Sequence, residues 1–187
     1  MHRAVFLDRD GVLNRAIVRK GRPFAPTSLD QFEILPDVLE ASRLLHQAGF
    51  VLIVATNQPD VGHGLVSKEM IERMHERLRL LLPIDDIQVC YSTEAEQSFR
   101  RKPKPGMLLE AAAAQNIDLT RSFMVGDRWR DIEAGRAAGC RTVLIQRHYE
   151  EKQAVNPDNI VYSLSEAARI ILKSADFRLK GSSSSIS

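Results

Sequence analysis

Apolar residues rich in β-branching gather into five short runs: Ala4 to Leu7, Val51 to Ala55, Ile87 to Tyr91, Phe123 to Val125 and Thr142 to Ile145. Each is short and continuously apolar, as a strand buried on both faces should be. Between them the hydrophobic spacing shifts to the three-and-four period of a helix. Val38, Leu39, Ala41, Leu44, Leu45 and Ala48 form one stripe, opened by Asp37 as a candidate N-cap after Pro36 and closed by Gly49. A second stripe runs from Ser67 through Met70, Ile71, Met74, Leu78 and Leu81 to a stop at Pro83. Further helices are predicted from Gly106 to Gln115, from Asp131 to Ala138 ahead of Gly139, and from Ser165 to about Lys173.

This alternation predicts an α/β fold, a three-layer Rossmann-like arrangement in which helices cover both faces of a parallel sheet. Such sheets bind ligands where the carboxyl ends of the strands meet the loops. Asp8 follows the first run, Thr56 the second and Asp127 the fourth, while Lys102 lies in the loop beyond the third, so all four are expected to face one crevice. Residues 15–32 keep no clear period and include Pro23 and Pro26; they read as a long loop and a candidate substrate lid. One domain over residues 1–176 is expected, followed by a flexible Ser-rich tail over 177–187.

Composition narrows the class. The 187 residues suit a single domain, and 44% hydrophobic with 27% charged residues excludes disorder as the overall description. With 26 basic against 24 acidic residues the chain is too evenly charged to predict a nucleic-acid or membrane partner, so any anion binding has to be local. Cys90 and Cys140 are the only cysteines, which excludes a disulfide framework or a four-cysteine zinc site and points to reduced thiols. The amino terminus passes from Ala4-Val5-Phe6-Leu7 straight into charge, without the apolar core of a signal peptide. A cytoplasmic monomer acting on a small molecule is the expectation.

The segment Asp8-Arg9-Asp10-Gly11-Val12-Leu13-Asn14 carries most of the chemistry. Two carboxylates two residues apart at a strand end share one side of the backbone and can reach one cation or one reacting group. Their repulsion is offset by a hard cation such as Mg²⁺, which takes oxygen ligands at about 2.1 Å and retains several waters. Gly11 permits a tight turn and lets backbone N–H groups approach a phosphate. One carboxylate can attack phosphorus while the other handles the proton. The plain alternative is that the two acids only open a turn.

With its surroundings, the segment resembles the first motif of the haloacid dehalogenase superfamily of phosphohydrolases, an apolar strand followed by Asp-x-Asp-Gly. Val54-Ala55-Thr56-Asn57-Gln58 is similar to the second motif, Arg101-Lys102-Pro103-Lys104-Pro105-Gly106 to the third, and Val125-Gly126-Asp127 followed by Asp131 to the fourth. The wording of the motifs is similar to the branch of heptose bisphosphate and histidinol phosphatases, with Pro105-Gly106-Met107-Leu108-Leu109 leaning toward the heptose enzymes. The resemblance implies a minimal loop cap rather than a cap domain, and a sugar bisphosphate as substrate. It implies that Asp8 is the nucleophile and Asp10 the acid and base, with Thr56 and Lys102 stabilising phosphoryl charge. Asp8, the main-chain carbonyl of Asp10 and Asp127 would hold Mg²⁺, and Asp131 would stand behind the site or simply cap a helix.

Arg101 and Arg128, beside motif positions, are candidates for binding a phosphate that does not react, as Asn57 is for the substrate; Arg offers a planar fork for this. Arg15, Arg19, Lys20 and Arg22 in the long loop are weaker candidates. Many members of the branch hold zinc through Cys-x-His and Cys-x-Cys pairs, but the matching positions here read Cys90-Tyr91-Ser92 and Ser98-Phe99-Arg100. One thiolate cannot build a tetrahedral site, so no zinc is expected, and Cys90 becomes a small buried residue at a strand end. Pro59 stands where the heptose enzymes commonly carry Ser. The other readings are a phosphatase of histidinol phosphate or another small phosphomonoester, a receiver-like module, and a sugar-phosphate binder without turnover.

Overall fold

The computed structural model describes residues 1–181, with side chains described to residue 174. Its elements in order are β1 (Arg3–Leu7), β2 (Ile17–Arg19), β3 (Arg22–Phe24), α1 (Val38–Gln47), β4 (Phe50–Asn57), α2 (Pro59–Gly62), α3 (Lys68–Leu81), β5 (Asp86–Cys90), α4 (Gly106–Gln115), β6 (Phe123–Gly126), α5 (Trp129–Ala138), β7 (Arg141–Ile145), β8 (Asn159–Val161) and α6 (Leu164–Gly181). Six strands pair in the order β5-β4-β1-β6-β7-β8, all parallel. The expected α/β sheet is therefore present.

Alternation along β1 divides the interior. Val5 and Leu7 join a core built with Val38, Leu45, Ile71, Met74, Leu78 and Ile171, from α1, α3 and α6. Ala4 and Phe6 point the other way, into a second core with Met107, Leu108 and Ala111 of α4 and Ala138 of α5. All four β1 residues are fully buried, which is why the run is apolar without a break.

Several boundaries differ from expectation. Asp37 does precede α1, but its side chain makes no cap there; Oδ2 accepts from the Ser165 N–H instead, serving the first turn of α6. Two helices joined across the fold thus share one acid. Helix α5 begins at Trp129, two residues before the expected Asp131. Helix α6 continues to Gly181, past the expected domain end at residue 176; the rest of the expected tail, 182–187, lies outside the described residues. Residues 15–32 are not a plain loop. They form the antiparallel hairpin β2–β3, turned by Lys20 at φ 48° and Gly21 at φ 70°. Positive φ at both central residues is the geometry of the tight two-residue hairpin turn.

Candidate active site

Sheet register brings distant motifs together. Leu7 pairs with Val54 of β4 on one side and Val125 of β6 on the other. β1 ends at Leu7 while β4 continues through Ala55 and Thr56 to Asn57 and β6 through Gly126, which sets Asp8 between the Ala55-Thr56 and Gly126-Asp127 segments. The Asp8 N–H still donates to the Val125 carbonyl at 2.9 Å, so its backbone is held as a strand. After Asp10 the chain turns at Gly11, whose φ of +91° belongs to the left-handed region. A Cβ there would stand 1.8 Å from Asp127 Oδ2, so close approach, as well as conformation, demands glycine.

Lys102 reaches into the same place from the loop after β5. Its Nζ donates to Asp8 Oδ1 at 2.7 Å, Asp131 Oδ1 at 2.6 Å and the Ala55 carbonyl at 2.7 Å, filling all three donor positions. Asn57 fixes the backbone behind it: Nδ2 donates to the Lys102 carbonyl at 3.0 Å and Oδ1 accepts from the Lys102 N–H at 3.1 Å. Both ends of that carboxamide meet Lys102, so Asn57, expected to bind substrate, orders the lysine's backbone.

Asp8, Asp127 and Asp131 can place one oxygen each within 4.8 Å of one another, and all three are buried. Among the described residues this is the one such convergence of three or more acidic, His or Cys groups, and Cys90, buried at the end of β5, is not in it. Three buried carboxylates against a single ammonium leave surplus negative charge. Burial, only partly offset by Lys102 and reinforced by Asp131 and Asp10, raises the Asp8 carboxyl to about 6. Burial followed by the charges of Asp8 and Asp131 pushes Asp127 well above the usual carboxylate range. Burial would lower the Lys102 ammonium, but Asp131 and Asp8 outweigh it and raise it. Asp127 Oδ1 is buried with no partner, while its Oδ2 accepts from the Tyr149 hydroxyl at 2.8 Å. A hard cation fits this donor set: it would neutralise the surplus and give the orphaned oxygen a ligand's role.

Asp131, by contrast, has both oxygens engaged, Oδ1 by Lys102 and Oδ2 by the Arg128 N–H at 3.0 Å. It acts by holding the lysine. The Asp10 side chain lies outside the acidic convergence. It accepts from Arg9 Nε at 3.1 Å and Nη2 at 3.0 Å, from Asn14 Nδ2 at 2.9 Å and from Gln58 Nε2 at 2.7 Å. The second N–H of Gln58 goes to Thr56 Oγ1 at 2.9 Å, so the Thr56 hydroxyl accepts there and keeps its own proton free.

A cavity of about 250 Å³ opens above these groups. Asp8, Asp10, Lys102 and Asp131 lie along it, Pro23 and Phe24 of β3 and the following Ala25 line another side, and Asn57, Arg128 and Arg130 are also on its walls. Thr56 and Asp127 are set back from it, at 1% and 6% exposure. Arg128 pairs with Glu151 through Nε at 2.9 Å and through Nη2. Arg101 lines an adjoining groove with Lys104, Trp129 and Arg130, and its Nη1 donates to the Ser92 carbonyl at 3.0 Å.

Gln58, Arg130 and Tyr149 had no role in the sequence reading. Gln58 was visible as the last polar residue of a run closing a buried strand; Arg130 offered no signal beyond its place beside Asp131, and Tyr149, beyond the last apolar run, offered none. The hairpin could have been found from Lys20-Gly21 between two three-residue apolar and basic segments.

A parallel sheet with paired acids after its first strand, and a buried lysine and further acids at the same edge, defines a phosphohydrolase of the haloacid dehalogenase type, and the chain belongs to that family. It is a phosphoric monoester hydrolase. Residues 99–167 match the HAD-hydrolase-like family model. Within the family, the chain is 33% identical over 191 residues to the D-glycero-D-manno-heptose-1,7-bisphosphate 7-phosphatase of Thermosynechococcus vestitus, covering 90% of this chain and 94% of that relative. It is 35% identical over 156 residues to the D-glycero-β-D-manno-heptose-1,7-bisphosphate 7-phosphatase of Escherichia coli K12, covering 77% and 78%. The crystal structure of D,D-heptose 1,7-bisphosphate phosphatase from B. bronchiseptica, complexed with magnesium and phosphate, matches with a TM-score of 0.77 at 28% identity, covering 92% of this chain and 99% of that one.

Proposed function

We propose that this chain is a Mg²⁺-dependent phosphatase that removes the 7-phosphate of D-glycero-D-manno-heptose 1,7-bisphosphate. One observation carries the reading most: Asp8 meets Lys102 at the floor of a cavity, beside an Asp127 oxygen that has no partner. The substrate is taken from the relatives, whose names state it.

An Asp8 carboxylate oxygen forms a bond to phosphorus as the bond to the sugar oxygen breaks, and Asp10 gives that oxygen a proton. Asp10 then takes a proton from water, which attacks the phosphorus and releases Asp8. Thr56 donates its free hydroxyl proton and Lys102 its charge to the phosphoryl oxygens, a stabilisation that is mainly electrostatic. Asp8, Asp127 and the Asp10 carbonyl would hold Mg²⁺, which when bound supplies charge neutralisation and Lewis acidity. Asp131 holds Lys102, and the hairpin residues Pro23 and Phe24 give the crevice one apolar wall. Arg128 and Arg130 give the non-reacting phosphate cationic partners on the cavity wall, with Arg101 in the groove beyond. Among the described residues no helix is long and apolar enough to cross a membrane. We place the enzyme in the cytoplasm as a monomer without zinc.

The test is phosphate release from heptose 1,7-bisphosphate, histidinol phosphate and an aryl phosphate, with and without Mg²⁺. Selectivity for the bisphosphate, dependent on Mg²⁺, is expected, and Asp8→Asn should lower turnover by about three orders of magnitude or more. Near-normal turnover of that variant would end the assignment of nucleophile, and a preference for histidinol phosphate would replace the substrate.

A further inference from the structure

A short strap after β7 fastens three parts of the site that no regular element connects. Arg147 Nε donates to the Gly11 carbonyl at 3.0 Å, on the turn that follows the acidic pair. The Tyr149 hydroxyl donates to Asp127 Oδ2 at 2.8 Å. The Glu150 N–H donates to the Gly21 carbonyl at 2.8 Å, at the tip of the hairpin beside the cavity. Tyr149 is the middle of the three and only 9% exposed.

From this geometry we infer that Tyr149 is a positioning residue for the divalent cation, holding one oxygen of Asp127 so that the other faces the ion. The inference rests on the reading of Asp127 as a cation ligand. The orphaned Oδ1 is the observation that gives the hydroxyl its purpose: a buried carboxylate with one oxygen fastened and one unpartnered is aimed, whereas a carboxylate free to turn would present either. Gly11 packs against this same hydrogen bond, since a Cβ there would stand 1.8 Å from Asp127 Oδ2 and 3.0 Å from the Tyr149 hydroxyl. The hydroxyl, the glycine and the carboxylate therefore interlock, and the strap residues on either side pin the phenol in place. A hydrogen-bond partner of a metal ligand is commonly worth 10–100-fold in metal affinity.

Tyr149→Phe removes the hydroxyl and leaves the ring. Calorimetric titration of the full chain with MgCl₂, without substrate, should give a dissociation constant raised about tenfold or more. The melting temperature in EDTA should fall by the cost of one lost buried hydrogen bond, and the further upward shift produced by Mg²⁺ should shrink as well. Because extra metal can compensate, turnover at saturating Mg²⁺ should recover more fully than at limiting Mg²⁺, which a general loss of packing would not produce. Parent-like affinity for Mg²⁺ in Tyr149→Phe overturns the inference while leaving the phosphatase reading intact. If the parent binds no Mg²⁺, or if Asp127→Asn binds it as well as the parent, the assignment of Asp127 fails and the inference falls with it.

Discussion

Gly11 and Gln58 show how much of this site is decided by single atoms. At Gly11 an added methyl must displace Asp127, because the clash is with a buried carboxylate held from behind by Tyr149 rather than with a flexible surface chain. Displacements of about an ångström near reacting groups cost roughly 100-fold in rate, so Gly11→Ala should lower turnover by about that factor in a phosphate-release assay, with Mg²⁺ affinity falling alongside. Gln58 is fully buried and spends both N–H groups on Asp10 and Thr56. Gln58→Leu keeps the bulk and removes both bonds; kcat should fall by roughly 10–100-fold, with a smaller change in KM, because the groups it orients act on the transition state. Asp8 and Asp127 were legible in the sequence because charged residues at the ends of apolar strands have few other reasons to be there, whereas Lys102, in a loop well past the end of β5, was legible only through the motif around it. Gln58 and Tyr149 were not, since an amide or a phenol reveals its role only through the partner it meets, and Asp10 and Asp127 lie 48 and 22 positions away from them. Asp131 was legible as an acid but not as the holder of Lys102, a role that needs the fold to bring 29 positions of chain back on itself.

At the level of elements, the sequence pattern located every long helix and the five longer strands of the parallel sheet, and it failed where elements are shortest. Strands β2, β3 and β8 have three residues each, too few for a period to show, and Ile160 in β8 is largely exposed at the sheet edge. Proline at position 23 argued against a strand, but in an isolated two-stranded ribbon it sits on an edge, where a missing N–H costs nothing. Helix ends were read best where the stop is conformational. Gly139 ends α5 at φ 87° with open space around its Cα, as the left-handed helix cap requires. Its replacement by alanine meets no neighbour, so the whole effect is backbone strain: Gly139→Ala should lose ~1 kcal/mol in urea unfolding while turnover is unchanged. Gly126 is the contrast, since a Cβ there would stand 2.1 Å from Asp131 Cβ, so the same substitution should damage the site as well as the fold.

For the molecule as a whole, the parallel sheet was legible but the order of its strands was not, because order is set by which cores the helices share and not by any one segment. One consequence of that order is a buried polar chain running from the active site through the first core. Arg9, fully buried, carries its guanidinium between Asp10 and His75, donating from Nη1 to His75 Nε2 at 3.3 Å, and its guanidinium lies 5.5 Å from the centre of the Phe32 ring. An acceptor at Nε2 places the imidazole proton on Nδ1, which lies 3.7 Å from Glu72 Oε2, and the Tyr91 hydroxyl donates to the same carboxylate. Burial and the charge of Arg9 lower His75 from 6.5 to about 4, with Arg79 adding to the effect and Glu72 opposing it. The folded protein therefore binds fewer protons at this position than the unfolded chain between those two values, and stability rises with pH across the window. The contribution is fully present above about pH 6.5 and is lost as pH falls toward 4. Burial makes the shift a real stability term, on the order of 3 kcal/mol over the window. Other groups titrate in the same range, so the measurement is a difference: unfolding free energies of the parent and of His75→Gln at several pH values between 7 and 4. Glutamine can accept from Arg9 through its carbonyl and does not titrate, so the parent should lose stability relative to the variant as the solution is acidified. Parallel curves for the two proteins would mean that the imidazole takes up its proton without cost, and that the buried arginine tolerates a second cation beside it.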